Sequence, residues 1–558
     1  MNHFDSWSPV EGLLHWEAKQ PDAIYLTQPR DGEVTEYSWQ EVASQVRRMA
    51  GYLASLGLPV GSRIALLSRN CAHYIMADLA IWMAGHVSVP IYPSLNPDTL
   101  AYILEHSESR LLFLGPLDDW PGMRSGVPRD LETLLFPGAP TRDLPAEHHH
   151  WEEAARQSAP LTTPATCRPE ALARLVYTSG STGLPKGVMV PFCAISASST
   201  LLTNLGDVGP RDRMISYLPL AHVFEAAAVE ASSLRHGFKV FFSEGVSTFA
   251  DDLKRAQPTI FLSVPRLWVK FQQAVLAGVP QAKLDQLLSS EQTAEITRKQ
   301  VLTQLGLQDT RIALTGSAPL SPAVMEWYRN LGLELLEGYA MSEDFSYSHL
   351  SLPGHSRVGY VGHPAPGVER RIAETGEVQI KSPGAMLGYY KDGAKTEAAF
   401  TADGWFRTGD LGEIDDAGRL RITGRLKEIF KTSKGKYVAP VPIESRLGHP
   451  QIEAVCVSGA NQPQPFALMM PSPAAGKALT TEEGRSSLAA EVESQLARVN
   501  ATLDPHERLA FAVIVKIPWT IENAMLTPTM KIRRNMIEER YAHYIDDWFT
   551  AGETLIWE

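Results

Sequence analysis

The sequence predicts an α/β protein: a large N-terminal domain of layered α/β sheets with a β-rich subdomain, then a small α+β C-terminal domain. Three observations predict it. The chain has 558 residues and 44% hydrophobic content, too long for one core, so two or more domains are expected. Short apolar runs alternate with helical patterns through the first 330 residues, as largely parallel sheets layered with helices require. From about Gly338 the segments become short, Gly-punctuated and strand-like.

In chain order, the strand-like runs are Arg63–Leu67, Val87–Ile91, Leu111–Leu114, Leu172–Tyr177, Val240–Phe242, Ile260–Ser263 and Arg311–Leu314. The most apolar window, Tyr74 to Tyr92, contains Asp78 and His86. It reads as a buried helix entering a strand, not as a membrane span. Pro140–Pro164 is polar and holds His148, His149 and His150. A solvated loop is expected there, because neighbouring loop residues rarely converge on one ion without further ligands.

The β-rich subdomain is read from Arg370–Ala373, Glu377–Ile380 and Gly418–Thr423. A boundary near Gly424–Lys427 divides the chain into residues 1–425 and 426–558. Beyond it come a strand (Ala454–Val457), a helix (Leu488–Ala501), a strand (Ala512–Lys516) and a basic run, Lys531-Ile-Arg-Arg, leading into a terminal helix. That suffices for a compact domain of roughly 130 residues. There is no internal repeat, which sets aside solenoids and propellers.

Composition narrows the function classes. The formal charge of -12 points away from nucleic acid, whose phosphates need a concentrated basic surface. An anionic substrate must be held by a local basic or backbone-amide site, since the global field will not attract it. The four cysteines, Cys71, Cys167, Cys193 and Cys456, have no metal-ligand spacing and read as reduced thiols of a cytoplasmic protein. The N-terminus has early Asp and Glu and no apolar stretch, unlike a signal peptide. Nothing in the sequence calls for a membrane, though it is compatible with peripheral contact.

The strongest chemical feature runs from Leu175 to Val188. An apolar strand enters a loop with Gly180, Gly183 and Gly187, the hydroxyls of Thr178, Ser179, Ser181 and Thr182, and Lys186. Glycines let backbone N–H groups approach an anion. Hydroxyls add donors, and lysine supplies a point charge for phosphate. It is not a Walker loop, because Lys186 lies between Pro185 and Gly187.

Further motifs follow: Leu218–Glu225 (LPLAHVFE), Ser263–Trp268 (SVPRLW), Thr315–Leu320 (TGSAPL), Glu337–Glu343 (EGYAMSE), Trp405–Asp410 (WFRTGD), Gly424-Arg425, the basic run Lys427–Pro440, and Thr527–Lys531 (TPTMK). Alone, His222 among apolar residues is more often a packed core histidine, and the other segments are ordinary turns. Their order behind the loop changes that. Tyr177–Gly187 resembles the signature of the acyl-adenylate-forming (AMP-binding) superfamily, and the later motifs extend the resemblance from about Tyr37 to Arg534. LPLAHVFE and SVPRLW look most like the long-chain fatty acyl-CoA synthetase branch.

The resemblance implies ATP, Mg²⁺ and coenzyme A as ligands, and a C-terminal domain that is mobile about Lys427. It implies catalytic roles for Lys531, Glu343 and His222, with His222 beside the acyl carboxylate. Thr178 and Glu343 match the metal position. Nucleotide contacts are implied for the loop residues Thr178–Gly183 and Lys186, for Gly316, Ser317 and Ala318, and for Gly338, Tyr339, Ala340, Met341 and Ser342. Tyr339 matches the adenine-stacking residue, and Asp410 and Arg425 match the ribose contacts. Lys427 and Lys431 lie on the face brought to the site for the second step. Ala340 departs from the commoner Gly and Ser342 from Thr, although a hydroxyl survives.

The implied reaction is attack of a carboxylate on the ATP α-phosphate, then transfer of the acyl group to a thiol. No residue sits in a nucleophile motif such as G-x-S-x-G, and none is needed. The sequence leaves open a carrier-protein thiol as acceptor, an aryl or other acid as substrate, and a monomer or homodimer. A non-catalytic nucleotide-binding protein on the same fold would be expected to lose Lys531, Glu343 or Lys186, and all three are present.

Overall fold

Four of the apolar runs, Arg63–Leu67, Val87–Ile91, Leu111–Leu114 and Leu172–Tyr177, join one eight-stranded sheet. The computed structural model describes residues 7–178, 184–449, 451–527 and 530–558, with side chains throughout except at Ala474, Lys477 and Ala478. Across the sheet the order is Gly388–Tyr389, Lys186–Pro191, Leu172–Thr178, Val87–Ile91, Arg63–Leu67, Leu111–Leu114, Thr133–Leu135 and His148–His150. The last six strands pair in parallel, and the first two pair antiparallel. A five-stranded sheet follows, in which Ile260–Ser263, Ile312–Thr315 and Leu335–Tyr339 run parallel. The β-rich subdomain is an antiparallel sheet of Glu369–Ile372, Glu377–Lys381, Phe406–Ile414 and Leu420–Arg425.

Local rules account for the helices. Trp39–Ser55 starts at a capping box in which Ser38 and Glu41 bond reciprocally to each other's backbone. Its buried residues, Trp39, Val42, Ala43, Val46, Met49, Ala50 and Leu53, recur at helical spacing. Ala72–Met83 is buried on every face, which explains the apolar window that could be mistaken for a membrane span. Among the described residues, no helix is long and apolar enough to cross a membrane.

One expectation is overturned. His148–His150 forms an exposed strand and Trp151–Gln157 a helix, where a loop was expected. The strand pairs with Thr133–Leu135, and the Trp151 ring packs on Phe113, Phe136 and His73. Backbone pairing and one buried aromatic outweigh polar composition here.

Near the C-terminus, Ile452–Ser458, Phe466–Pro471, Ala512–Ile514 and Leu555–Trp557 form a four-stranded sheet. Its side chains alternate between two cores. Ala467 and Met469 face helix Glu482–Asn500, while Phe466, Leu468 and Met470 face Ile537, Tyr541 and Trp548. Residues 427–440 contain the hairpin Phe430–Lys431/Tyr437–Val438. An ion pair between Arg266 and Glu453 joins helix Pro265–Gly278 to this region.

Inside the main core, Arg174 of strand Leu172–Thr178 is 1% exposed. Its Nη2 lies 2.5 Å from Asp78 and 2.7 Å from Glu230. The guanidinium also stands 5.2 Å from the Trp82 ring centroid and 5.9 Å from that of Phe345. Glu230 lies in a π-helical segment, Ala226–Ala231, of the kind that marks functional regions. Burial pushes Glu230 up to about 8 and also raises Asp78. Both acids are thus shifted toward their protonated forms, and the Arg174 cation opposes the shift in each.

Arg174→Met leaves Asp78 without its cation and should cost about 3–5 kcal/mol in urea unfolding. Glu230→Gln mimics the protonated carboxyl and should cost less than about 1.5 kcal/mol. Equal losses would show that Glu230 is ionised.

Candidate active site

Strands Leu172–Thr178 and Lys186–Pro191 form a hairpin with Thr178 opposite Lys186. Thr178 ends its strand at the C-terminal edge of the parallel strands, where open α/β sheets bind ligands. Ser179, Gly180, Ser181, Thr182 and Gly183 lie outside the described residues. Beside the hairpin, a Cβ added at Gly187 would lie 3.3 Å from the Tyr177 ring and 3.4 Å from Tyr390, which leaves little room for a side chain. Tyr177 is itself held at 2.8 Å by His106.

The Lys186 ammonium lies 4.5 Å over the Tyr389 ring, and the Tyr389 hydroxyl donates to Glu343 Oε1 at 2.8 Å. Desolvation lowers the Lys186 pKa, with Lys427 and Lys395 adding to it and Glu343 opposing it. Lys186 and Glu343 are thus two contacts apart, joined through Tyr389. Sequence reading missed Tyr389. Its only signal is a glycine followed by two tyrosines, Gly388–Tyr390.

The floor comes from two parallel strands, with Thr315 paired to Glu337. Ser317 takes a left-handed φ of 70° in the turn Gly316-Ser317-Ala318. A Cβ at Gly316 would meet the Gly338 carbonyl at 3.4 Å and Phe224 at 3.5 Å, so this turn, Gly338 and the His222 segment come together. Tyr339 donates to Asp410 Oδ2 at 2.7 Å, and Arg425 Nε donates to Asp410 Oδ1 at 2.8 Å. Asp410 and Arg425 are opposite each other on paired strands. A carboxylate has about four acceptor positions, so Asp410 keeps capacity for a diol.

Ala340 and Met341 lead into the turn Ser342–Asp344. Asp344 is buried, accepts from Met341 N at 2.9 Å, and is pushed up to about 8 by desolvation. It stays neutral beside Glu343.

His222 caps helix Val223–Glu225, and its Nδ1 accepts from Phe224 N at 3.2 Å. Burial pulls its pKa down to about 4, with the Lys531 cation adding to the shift. The imidazole is neutral, with its Nε2–H available. Lys531 arrives on a turn in which its N–H meets Thr527 Oγ1 at 3.0 Å and its carbonyl meets Thr527 N at 2.8 Å. Pro528 and Thr529 lie outside the described residues. Lys531 is open to solvent, yet the cleft walls desolvate it. That desolvation and Arg425 lower its pKa, while Asp410 and Glu428 oppose.

The structure therefore joins Tyr339, Asp410 and Arg425 by hydrogen bonds, places Lys531 within electrostatic reach of Arg425, Asp410 and His222, and links Lys186 to Glu343 through Tyr389. Lys427 is exposed just beyond strand Leu420–Arg425. The Lys431 ammonium lies 5.4 Å over Tyr437 of its own hairpin.

Among the described residues, no three His, Cys, Asp or Glu side chains converge on a metal position. A single carboxylate at Glu343 fits Mg²⁺, which takes one or two protein carboxylates and completes its shell with phosphate oxygens and water. It does not fit a tetrahedral zinc site.

Residues 13–390 match the AMP-binding enzyme family, and residues 427–553 match the AMP-binding enzyme C-terminal domain. The chain is 31% identical over 584 residues to Long-chain-fatty-acid–CoA ligase FadD15 of Mycobacterium bovis, covering 96% of each. In fold it is similar to the adenylation domain of the carboxylate reductase from Mycobacterium chelonae. That match has a TM-score of 0.79 and 22% identity, covering 98% of this chain and 91% of that one. The o-succinylbenzoate coenzyme A synthetase of Bacillus subtilis, in complex with ATP and magnesium ion, is similar at TM-score 0.69 and 24% identity, covering 94% and 98%.

Two buried carboxyls next to these motifs set a pH dependence. Glu225 accepts from Ser216 Oγ at 2.8 Å and Tyr217 N at 3.0 Å, and burial pushes it up to about 8. Glu337 accepts from Gly359 N at 3.3 Å and is pushed up to about 7. Both bind their proton more tightly folded than unfolded, so their contribution is complete below their ordinary pKa of 4.5 and is lost as pH rises to about 8. Urea unfolding should show stability falling by on the order of 5 kcal/mol between pH 5 and pH 8. Glu225→Gln should flatten that slope, and an unchanged slope would exclude Glu225 as its source.

Proposed function

The chain belongs to the acyl-adenylate-forming, AMP-binding enzyme family, and from that premise we propose that it is an acyl-CoA synthetase. It activates a medium- to long-chain fatty acid with ATP, releases pyrophosphate, and passes the acyl group to coenzyme A. The observation that carries this reading is that Lys531, from the C-terminal part, lies within electrostatic reach of His222 and of the Asp410–Arg425 pair. The fatty-acid assignment is supported by the name of the Mycobacterium bovis relative.

In the first step a carboxylate oxygen forms a bond to the α-phosphorus as the bond to pyrophosphate breaks. Both reactants are anions, so alignment and charge neutralisation come first. Lys531 bridges the attacking oxygen and the α-phosphate. Lys186 meets the phosphate chain from the opposite side. Asp410 and Arg425 hold the ribose, Tyr339 packs on the adenine, and the Gly316–Ala318 turn lines its edge. The neutral imidazole of His222 donates from Nε2 toward the acyl carboxylate without adding charge. Glu343 and Thr178 would hold Mg²⁺, which would supply Lewis-acid neutralisation of the phosphate oxygens.

In the second step the thiol attacks the adenylate carbonyl. A C–S bond forms, the C–O bond to AMP breaks, and the thiol proton leaves. We place the domain boundary between residues 425 and 426, with Lys427 as the pivot that withdraws Lys531 for this step. The exposed lysine directly after a paired strand supports that position.

Lys531→Ala should reduce fatty-acid-dependent pyrophosphate exchange by at least about a hundredfold while still transferring a preformed acyl-adenylate to coenzyme A. Equal loss of both half-reactions would refute the division of labour. A panel of acids, assayed for pyrophosphate release with and without coenzyme A, identifies the acid. Turnover that ignores free coenzyme A would point to a carrier-protein thiol.

A further inference from the structure

Tyr389 joins two groups that come from distant parts of the chain. Its hydroxyl donates to Glu343 Oε1 at 2.8 Å, and its ring carries the Lys186 ammonium at 4.5 Å. Among the described residues this leaves Glu343 Oε2 without a hydrogen bond.

Backbone contacts hold this arrangement in place. Strand Gly388–Tyr389 pairs with Lys186–Pro191, with Tyr389 opposite Val188. Met386 N donates to the Glu343 carbonyl at 2.8 Å, so both the backbone and the side chain of Glu343 are tied to segment 386–389. Tyr389 N donates to Thr396 Oγ1 at 2.9 Å, and Gly388 has a φ of 143°. A Cβ at Gly388 would lie 2.7 Å from Thr396 Cγ2, so the close approach needs glycine. The Tyr389 ring is buried, at 7% exposure.

We propose that Tyr389 is a positioning residue for adenylation. It fixes the Glu343 carboxylate with one oxygen directed to the metal position, and it holds the Lys186 ammonium at a set distance from that carboxylate. A glutamate on three rotatable bonds and a lysine on four would otherwise lose side-chain entropy each time ATP binds. A neutral phenol orients the carboxylate without cancelling its charge, and the ring face attracts the ammonium without forming an ion pair. The proposal rests on Glu343 as the Mg²⁺ ligand in the reading above.

Two variants separate the hydroxyl from the ring. Tyr389→Phe removes the hydroxyl alone, and Tyr389→Leu removes the ring as well. ATP affinity of the full-length protein is measured by calorimetry with Mg²⁺ and again with EDTA, together with the melting temperature. For Tyr389→Phe, affinity with Mg²⁺ should fall about tenfold, with no change in EDTA and the same melting temperature. The Mg²⁺ concentration for half-maximal pyrophosphate exchange should rise by a similar factor. Tyr389→Leu should weaken ATP binding in EDTA as well, through Lys186. Equal weakening of Tyr389→Phe with and without Mg²⁺, or no weakening, overturns the positioning role. Wild-type ATP affinity that ignores Mg²⁺ overturns the metal role of Glu343 and the proposal with it.

Discussion

Arg174 is the point on which the N-terminal fold converges. It lies four residues before Thr178, on the strand that enters the phosphate hairpin. Its partners come from helix Ala72–Met83, from the π-helical segment behind His222, and from the ring of Phe345 just after Glu343. A buried guanidinium is expensive to desolvate and tolerates few arrangements. These segments must therefore be placed correctly together, and the residues they carry to the cleft inherit that placement. The burial that raises both Glu230 and Asp78 eases the balance, because two full anions against one cation would leave a buried excess charge.

The same economy governs the cleft. A chain with a formal charge of -12 has to accept a polyphosphate. Its carboxyls there are either pushed toward the neutral form by burial, as at Asp344, Glu337 and Glu225, or engaged by a donor, as at Asp410 and Glu343. His222 stays neutral for the same reason of burial. The cations Lys186, Arg425 and Lys531 then dominate the local field, which in a low-dielectric cleft matters far more than net charge.

Much of the fold could be read from the sequence, because buried parallel strands are short unbroken apolar runs. Arg63–Leu67, Val87–Ile91, Leu111–Leu114 and Ile260–Ser263 appear in the structure with the bounds expected. His148–His150 could not be read that way, since an exposed edge strand needs only a partner and carries no apolar pattern. At the candidate site, motif order nominated His222, Glu343, Asp410, Arg425 and Lys531, but it held no information on contacts. Tyr389 escaped because its ties run to Glu343 and Lys186, far away in sequence and adjacent only once the strands pair.

The strand His148–His150 also settles how the large sheet ends. Among the described residues it is the outermost of eight strands, with no further strand paired beyond it. A long flat apolar rim at that place would offer a template for cross-chain stacking and fibrous growth. Three exposed imidazoles on a strand only three residues long offer almost none. The helix that begins at Trp151 takes the chain out of the extended conformation immediately. A stretch that carries no catalytic group thus protects the solubility of the molecule by keeping its widest sheet from recruiting copies of itself.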